Sequence, residues 1–587
     1  MQNDFIYHML PSPRSIRLIK FQPGPRPKCT LLTVEVEKAP PYVALSYTWG
    51  CTDLVRCLTV NGCEVRITAS LAEAIDAMFM TVRGWRCHFW ADGICIDQTN
   101  LAERSSQVRL MNTIYRSADS VAIWLGPAAD DSDLTFDMMD IWTTRLNALE
   151  TEHNSEDMAI SSIPSTDSIF FSPEAQRTLT GLRMVVQEGT ISPESRTFFF
   201  CGTRCATWAE VRTSFSIAHH VTRHHTATIE VTNHHIARTK DDFTSKMAIR
   251  LDGIRKDRSD GIYMRLLPLL LQMRGFECGD PRDKIYAALG MAMDINEKDV
   301  VPDYTKSYPA ACRDVARFMI SQGQDLSLHV LGAVMRPAPG TSFEHTLADD
   351  DLDHIPSWVP DWTFRVSMFP FEKFLDPFSS AGSPLAYHAS GSHRSICKVE
   401  SNRLYTQSST VDQIVQTWAV CQWNLAEAGL NLETWWVPEE PDAIYHTGET
   451  VMEAFNRTIM ADIGRKDVNR SGQYSRGMSL DWGFVKRTLD TLAPEERQLQ
   501  SWMLIDTKAA TFGRRLFRTR RGLLGLGPAA AEIGDEVCVF SGGQVLYVVR
   551  KQNSDEHEFM GECYVHGMMD GEACEEPGFD LKEMVLV

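Results

Sequence analysis

The chain has 587 residues, of which 58 are basic and 77 acidic, for a net charge of −19. That length is too great for one hydrophobic core and implies two to four domains. The acidic balance argues against broad, non-specific binding to nucleic acid or to an anionic membrane surface.

No run of about eighteen apolar residues occurs, so no transmembrane helix is expected. The first twenty residues lack the apolar centre of a secretory leader, and a cytoplasmic location is expected. The fifteen cysteines are odd in number and scattered, without paired CxxC spacing. They read as small buried apolar residues in a reducing compartment, not as a zinc site.

In chain order, residues 12–36 alternate apolar and polar around a Pro/Gly turn, a hairpin leading into a larger sheet. Tyr42 to Tyr47 is a short strand broken at Thr48-Trp49-Gly50. Asn61-Gly62 sits between two short apolar runs, a strong hairpin signal. Ser70 is expected to cap a helix with Glu73 at its third position.

The stretch from Arg86 to Pro127 organises the rest. An apolar run, Cys87 to Ala91, ends at Asp92. Asn100 then opens a helix, with Glu103 three residues on, and Val108, Met111, Ile114, Tyr115 and Ala118 fall on one face. A second apolar run, Ser120 to Leu125, stops at Gly126-Pro127. Strand, helix and strand within about forty residues match a βαβ unit, so a flavodoxin-like parallel sheet is expected. Ligands of such sheets bind beyond the carboxyl ends of the strands, where Asp92 and Trp124 fall.

Leu134 to Leu149 reads as a helix and Thr197 to Cys201 as a strand, with a helix starting near Thr207. Three histidine pairs between 214 and 246 read as an exposed insertion, because adjacent histidines point apart and no acid or Cys completes a metal pattern. Helices are expected at 258–273, after Asp280-Pro281-Arg282-Asp283, and over Tyr308 to Gln322. Arg514, Arg515, Arg518, Arg520 and Arg521 read as a solvated strand-and-turn surface. From Leu516 onward, short apolar runs alternate with Gly-rich turns, as in an antiparallel barrel or meander.

Several of these motifs, in this order, resemble the fungal heterokaryon incompatibility (HET) domain family. They are Ala44-Leu45-Ser46-Tyr47-Thr48-Trp49-Gly50, Trp90-Ala91-Asp92 with Cys95-Ile96-Asp97-Gln98, and Trp124-Leu125-Gly126. Downstream come Val185-Val186-Gln187-Glu188, Asp280 to Tyr286, Pro302-Asp303-Tyr304, Pro356 to Trp362, and Gly561 to Glu572. Met184 stands where the family usually carries Trp.

The resemblance implies cell-death signalling in fungal non-self recognition. It also implies a distant likeness to TIR domains, some of which cleave NAD at the nicotinamide–ribose bond with a single Glu. Glu188 is then the candidate catalytic residue, with Ser46, Tyr47, Trp49, Asp92 and Trp124 as candidate substrate-binding residues. Asp92 could instead hold its own turn, and Trp49 and Trp124 could be core. Glu103 is expected to cap its helix, and Cys95 has no histidine near it in sequence to activate a thiol.

The expected architecture is α/β. Lead-in strands (1–40) precede a flavodoxin- or TIR-like parallel sheet domain (41–213) and a His-rich insertion (214–255). A mainly helical middle region (256–510) and a small antiparallel β module (511–587) follow. No metal or cofactor is expected, and NAD or a related nucleotide enters as a substrate. The alternative is a non-catalytic death adaptor working by self-association or with an incompatibility partner; membrane and nucleic acid are not expected partners.

Overall fold

The structure is a computed structural model. It describes residues 6–22, 26–50, 53–81, 87–128, 132–153, 194–214, 216–217, 264–274, 278–296, 298–322, 328–336, 355–364, 371, 387–421, 441–465, 474–477, 510–553 and 555–587, with single residues and pairs between 423 and 507. Glu188 and nearly all of the His-rich segment lie outside the described residues.

The chain divides into two compact units. The first comprises residues 1–230, 238–264 and 276–306, and the second 231–237, 265–275 and 307–587.

The first unit is built on a nine-stranded mixed sheet. Its strands are β1 (Ser15–Phe21), β2 (Lys28–Glu35), β3 (Tyr42–Tyr47), β4 (Leu54–Val60), β5 (Cys63–Thr68), β6 (His88–Trp90), β7 (Ser120–Gly126), β8 (Thr197–Cys201) and β9 (Arg204–Thr207). Their order is β5-β4-β2-β1-β6-β3-β7-β8-β9. The centre, β6-β3-β7-β8, is parallel. β1 and β9 flank it antiparallel.

The expectation of a parallel sheet is therefore correct for the centre and too simple for the whole, because hairpins widen both edges. Asn61 (φ 52°) and Gly62 (φ 83°) form the β4–β5 turn, both in the left-handed region that a two-residue hairpin requires.

Cα partners on neighbouring parallel strands share a face, which assigns the helices. Helix α1 (Ala69–Thr81) covers the face carrying Val43, Leu45 and Tyr47: its Phe79 meets Phe21, which in turn meets Phe89, at 5.7 and 5.3 Å between ring centres. The α1 cap is Thr68, whose hydroxyl accepts the Leu71 N–H at 3.3 Å, not Ser70 as the sequence suggested. A short turn, α2 (Asp92–Cys95), follows β6, and α3 (Leu101–Ser117) covers the opposite face, where Tyr115 meets Trp90 edge-on at 5.6 Å. Helix α4 (Ser132–His153) follows β7, and α5 (Asp283–Leu289) belongs to the same unit. The helix expected near Thr207 begins at Trp208, directly after β9, and Gly202 (φ 55°) makes the hairpin turn before it.

The second unit contains helices Leu266–Met273, α6 (Tyr308–Ser321) and α7 (Val451–Thr458). Its sheet holds β10 (Cys397–Glu400), β11 (Arg403–Val420), β12 (Arg514–Thr519), β13 (Leu524–Pro528), β14 (Glu536–Phe540), β15 (Leu546–Lys551), β16 (Glu556–Val565) and β17 (Lys582–Leu586). Six strands close on themselves in the order β11-β12-β13-β16-β15-β14, returning to β11. The long strand β11 comes from the region read as helical or mixed. Thr406 and Ser408 fill two of its buried positions beside Leu404, so no apolar alternation marks it.

The arginines after residue 513 do not form one patch. Arg514 is buried against Glu562 at 2.9 Å, Arg515 donates to the Ala531 carbonyl, and Arg521 pairs with Glu576. Among the described residues, no helix is long and apolar enough to cross a membrane.

Candidate functional site at the carboxyl ends of the parallel strands

β6 ends at Trp90, and the chain turns at Ala91 into α2, placing Asp92 just beyond the carboxyl end of this central strand. The half-buried Asp92 carboxylate is held by three donors. Oδ1 accepts the Gly93 N–H at 2.7 Å, Oδ2 accepts the Trp49 indole N–H at 2.9 Å, and the Tyr47 hydroxyl donates to the same group. The Gln98 side chain donates to the Asp92 carbonyl at 2.8 Å.

Gly93 is required by space: a Cβ there would stand 2.5 Å from the Tyr47 hydroxyl and 3.0 Å from Leu71 Cδ2. The sequence signal for this contact was the glycine directly after the acid.

Burial pushes the Asp92 carboxyl above its ordinary range. The hydrogen bonds from Trp49, Tyr47 and Gly93, and the charge of Arg104, pull the other way. Burial, and then the Asp92 charge, raise the Tyr47 phenol well above its usual value, so Tyr47 acts as a donor.

Trp124 is the Cα partner of Tyr47 on β7 and shares its sheet face. It is 3% exposed, and its buried indole N–H has no hydrogen-bond partner among the described residues. Tyr47 and Trp49 thus both bond Asp92, with Trp124 next to Tyr47. Ser46 is separated from them: it pairs with Ile123 and lies on the opposite face, buried.

Cys95 is fully buried, its sulfur accepts the Ala91 N–H at 3.4 Å, and burial keeps the thiol protonated, so it is no nucleophile.

Glu103 departs from its expected role. Asn100 caps α3 by accepting the Glu103 N–H at 3.1 Å, but the Glu103 carboxylate does not return to the cap. It accepts the Asp97 N–H at 2.7 Å and forms a two-pronged pair with Arg17 of β1 at 2.5 and 2.9 Å. Arg17 also donates to the Cys95 carbonyl at 2.9 Å. This pair fixes the 95–97 loop from below. Sequence reading missed it because its partners are 86 residues apart and no local pattern links them.

Arg104, the next residue on α3, was missed for the same reason. It pairs with Asp280 at 3.0 Å and lies over the Tyr304 ring at 3.8 Å.

The arrangement offers an acid of raised proton affinity held by an indole and a phenol, at the end of a parallel sheet. Such a group can accept hydroxyls of a ligand or retain a proton.

Residues 42–181 match the heterokaryon incompatibility protein (HET) family, and residues 444–579 match the Het-6 beta-barrel domain. Tyr47, Trp49, Asp92 and Trp124 fall inside the first match; Glu188 falls beyond it. Strand β11, which closes the barrel, lies before the second match. The chain is similar to "Heterokaryon incompatibility protein 6, OR allele" of Neurospora crassa, with 24% identity covering 93% of this chain and 91% of that protein. No solved structure matches it. The chain therefore carries a segment that matches the HET family and, later in the sequence, one that matches the Het-6 beta-barrel domain.

Proposed function

We propose that this protein acts in fungal non-self recognition and triggers cell death by hydrolysing NAD at the nicotinamide–ribose bond. The similarity to a heterokaryon incompatibility protein supports the biological setting. The strand order supports the flavodoxin-like reading. Numbered by their appearance, the four parallel strands run second-first-third-fourth, the order of a doubly wound sheet whose switch point lies between β3 and β7. The observation that carries the proposal is the Asp92 carboxyl, clasped by Trp49 and Tyr47 at the carboxyl ends of the strands, with Trp124 next to Tyr47 on the neighbouring strand β7.

In this reading water replaces nicotinamide on the ribose anomeric carbon. The C–N bond breaks with its electron pair leaving on neutral nicotinamide, and ADP-ribose and a proton are the other products. Positive charge builds on the ribose in the transition state, and a carboxylate stabilises it. Glu188 supplies that carboxylate, while Asp92 holds ribose hydroxyls and Trp49 or Trp124 lies against a ring. The test is nicotinamide release by the purified chain, with Asp92→Asn and Trp124→Phe beside it. Both variants are expected to raise the KM for NAD, and unchanged kinetics in both would remove these residues from the site.

A second reading, a non-catalytic adaptor working by self-association, has its own support. Ser46, Tyr47 and Trp124 fill the sheet end, and Leu54 and Val55 stand 53% and 63% exposed on the β4–β5 edge hairpin. An exposed apolar edge is a ready surface for pairing between chains.

A further inference from the structure

Helix α3 has one face on the sheet and another covered by described residues of the segment from 278 to 306 (278–296 and 298–306). Three α3 residues hold that segment. Arg104 pairs with Asp280 at 3.0 Å and lies 3.8 Å over the Tyr304 ring. Ser105 accepts the Tyr304 N–H at 3.2 Å, and Asn112, two turns on, donates to the Gly290 carbonyl at 2.5 Å. Within the segment, Arg282 forks onto Asp280 at 2.9 and 2.8 Å and donates to the Tyr304 and Lys306 carbonyls at 2.6 and 2.8 Å. Two guanidinium groups therefore meet one carboxylate and one aromatic ring.

Glu103 and Arg104 are adjacent, and they face different structures. Glu103 holds the Asp97 amide, and Gln98 holds the Asp92 carbonyl. Arg104 holds Asp280, and its charge also acts on Asp92. The link from Asp280 to the Asp92 turn thus runs through these contacts and through the backbone that joins Glu103 to Arg104 and Asp97 to Gln98.

We propose that the 278–306 segment is a regulatory strap: docked on α3 through Asp280 and Tyr304, it uses Arg104 to set the geometry of the Asp92 turn. Arg104 is then a positioning residue, and an effector or partner that displaces the strap changes the site. The proposal rests on Asp92 belonging to the functional site, but its test needs no substrate.

Coupling between two segments is read by amide hydrogen exchange of the full chain, comparing wild type with Asp280→Asn. Exchange is expected to rise about tenfold both within 278–290 and within 92–104, while the remaining sheet amides are unchanged. Acceleration confined to 278–290 would overturn the proposal, since the strap would then be a local packing element. Should Asp280→Asn fail to fold, Tyr304→Phe is the milder probe: it keeps the ring under Arg104 and removes the hydroxyl bound to Asp283. It is expected to raise exchange in both segments by a smaller factor, and a change in one segment alone contradicts the coupling. A chain that shows the coupled change yet turns over no NAD would keep the strap and discard the enzymatic reading.

Discussion

The indole N–H of Trp49 donates to the Asp92 carboxylate at 2.9 Å, linking the break after β3 to the turn after β6. The two residues are 43 apart in sequence and close the end of the parallel strands together. Asp92→Asn is expected to destabilise the chain by about 1–2 kcal/mol, because an amide cannot accept from Trp49, Tyr47 and Gly93 without turning an N–H against one of them. Urea denaturation measures this, and a variant as stable as wild type would show that the clasp contributes nothing.

Gly93→Ala places a methyl group 2.5 Å from the Tyr47 hydroxyl. A cost of about 1–3 kcal/mol is expected from this overpacking. Adding Tyr47→Phe removes the atom that is struck, so the double variant is expected to lose less than the sum of the single changes. Strict additivity in a thermal-denaturation cycle would place the strain elsewhere.

Arg17 and Glu103 form an ion pair with side chains 3% and 8% exposed. Removing one partner leaves a buried charge alone, and Glu103→Leu is expected to cost about 3–5 kcal/mol. The pair of changes Arg17→Met with Glu103→Leu is expected to be milder than Glu103→Leu alone. The relevant measurement is the midpoint of chemical denaturation for the single and double variants. A double variant less stable than Glu103→Leu would mean that Arg17 matters chiefly for the carbonyls of Cys95 and His8 that it also binds.

Two carboxyls give opposite pH signatures. Asp283 is pushed up to about 6, first by burial and then by neighbouring Asp280, against the Tyr304 hydrogen bond and the charges of Arg104 and Arg282. A raised folded value means that the docked strap binds the proton more tightly than the free chain. Its contribution is complete below about 3.8 and is lost as pH rises through about 6.

Glu449 behaves in reverse. Burial opposes its charge, but hydrogen bonds from His566, Thr447 and Arg457 outweigh this and hold it down at about 2. Its stabilisation is present above about 4.5 and disappears as pH falls toward 2. Asp283→Asn should flatten strap exchange between pH 4 and 6. Glu449→Gln should flatten the acid melting profile of the β-barrel unit. Wild-type slopes retained in either variant would contradict that assignment.

The parts of the fold legible in the sequence are those set by local rules. The Asn61-Gly62 hairpin, the Asn100 cap and the apolar runs of β3 and β7 follow from turn geometry, capping and burial. What was hidden depends on distant partners. β1 enters the sheet beside β6 through pairing alone, and the inward positions of β11 are partly Thr and Ser, which no hydrophobic pattern reveals. The site divides along the same line. Asp92, Tyr47, Trp49 and Trp124 were visible as acids and aromatics at strand ends, whereas the structure adds Gln98, Arg17 and Arg104, whose roles come from contacts across the fold. Ser46 was grouped with Tyr47 by adjacency, but neighbours on a strand point to opposite faces.

Nicotinamide release from NAD, measured on the purified full chain and on Glu188→Gln at equal concentration, decides whether Glu188 is catalytic. Release by the wild-type protein and its loss in the variant are expected. Equal release by both would take the catalytic role from Glu188, and no release by either, even with the strap freed by Asp280→Asn, would contradict the enzymatic reading and leave the adaptor.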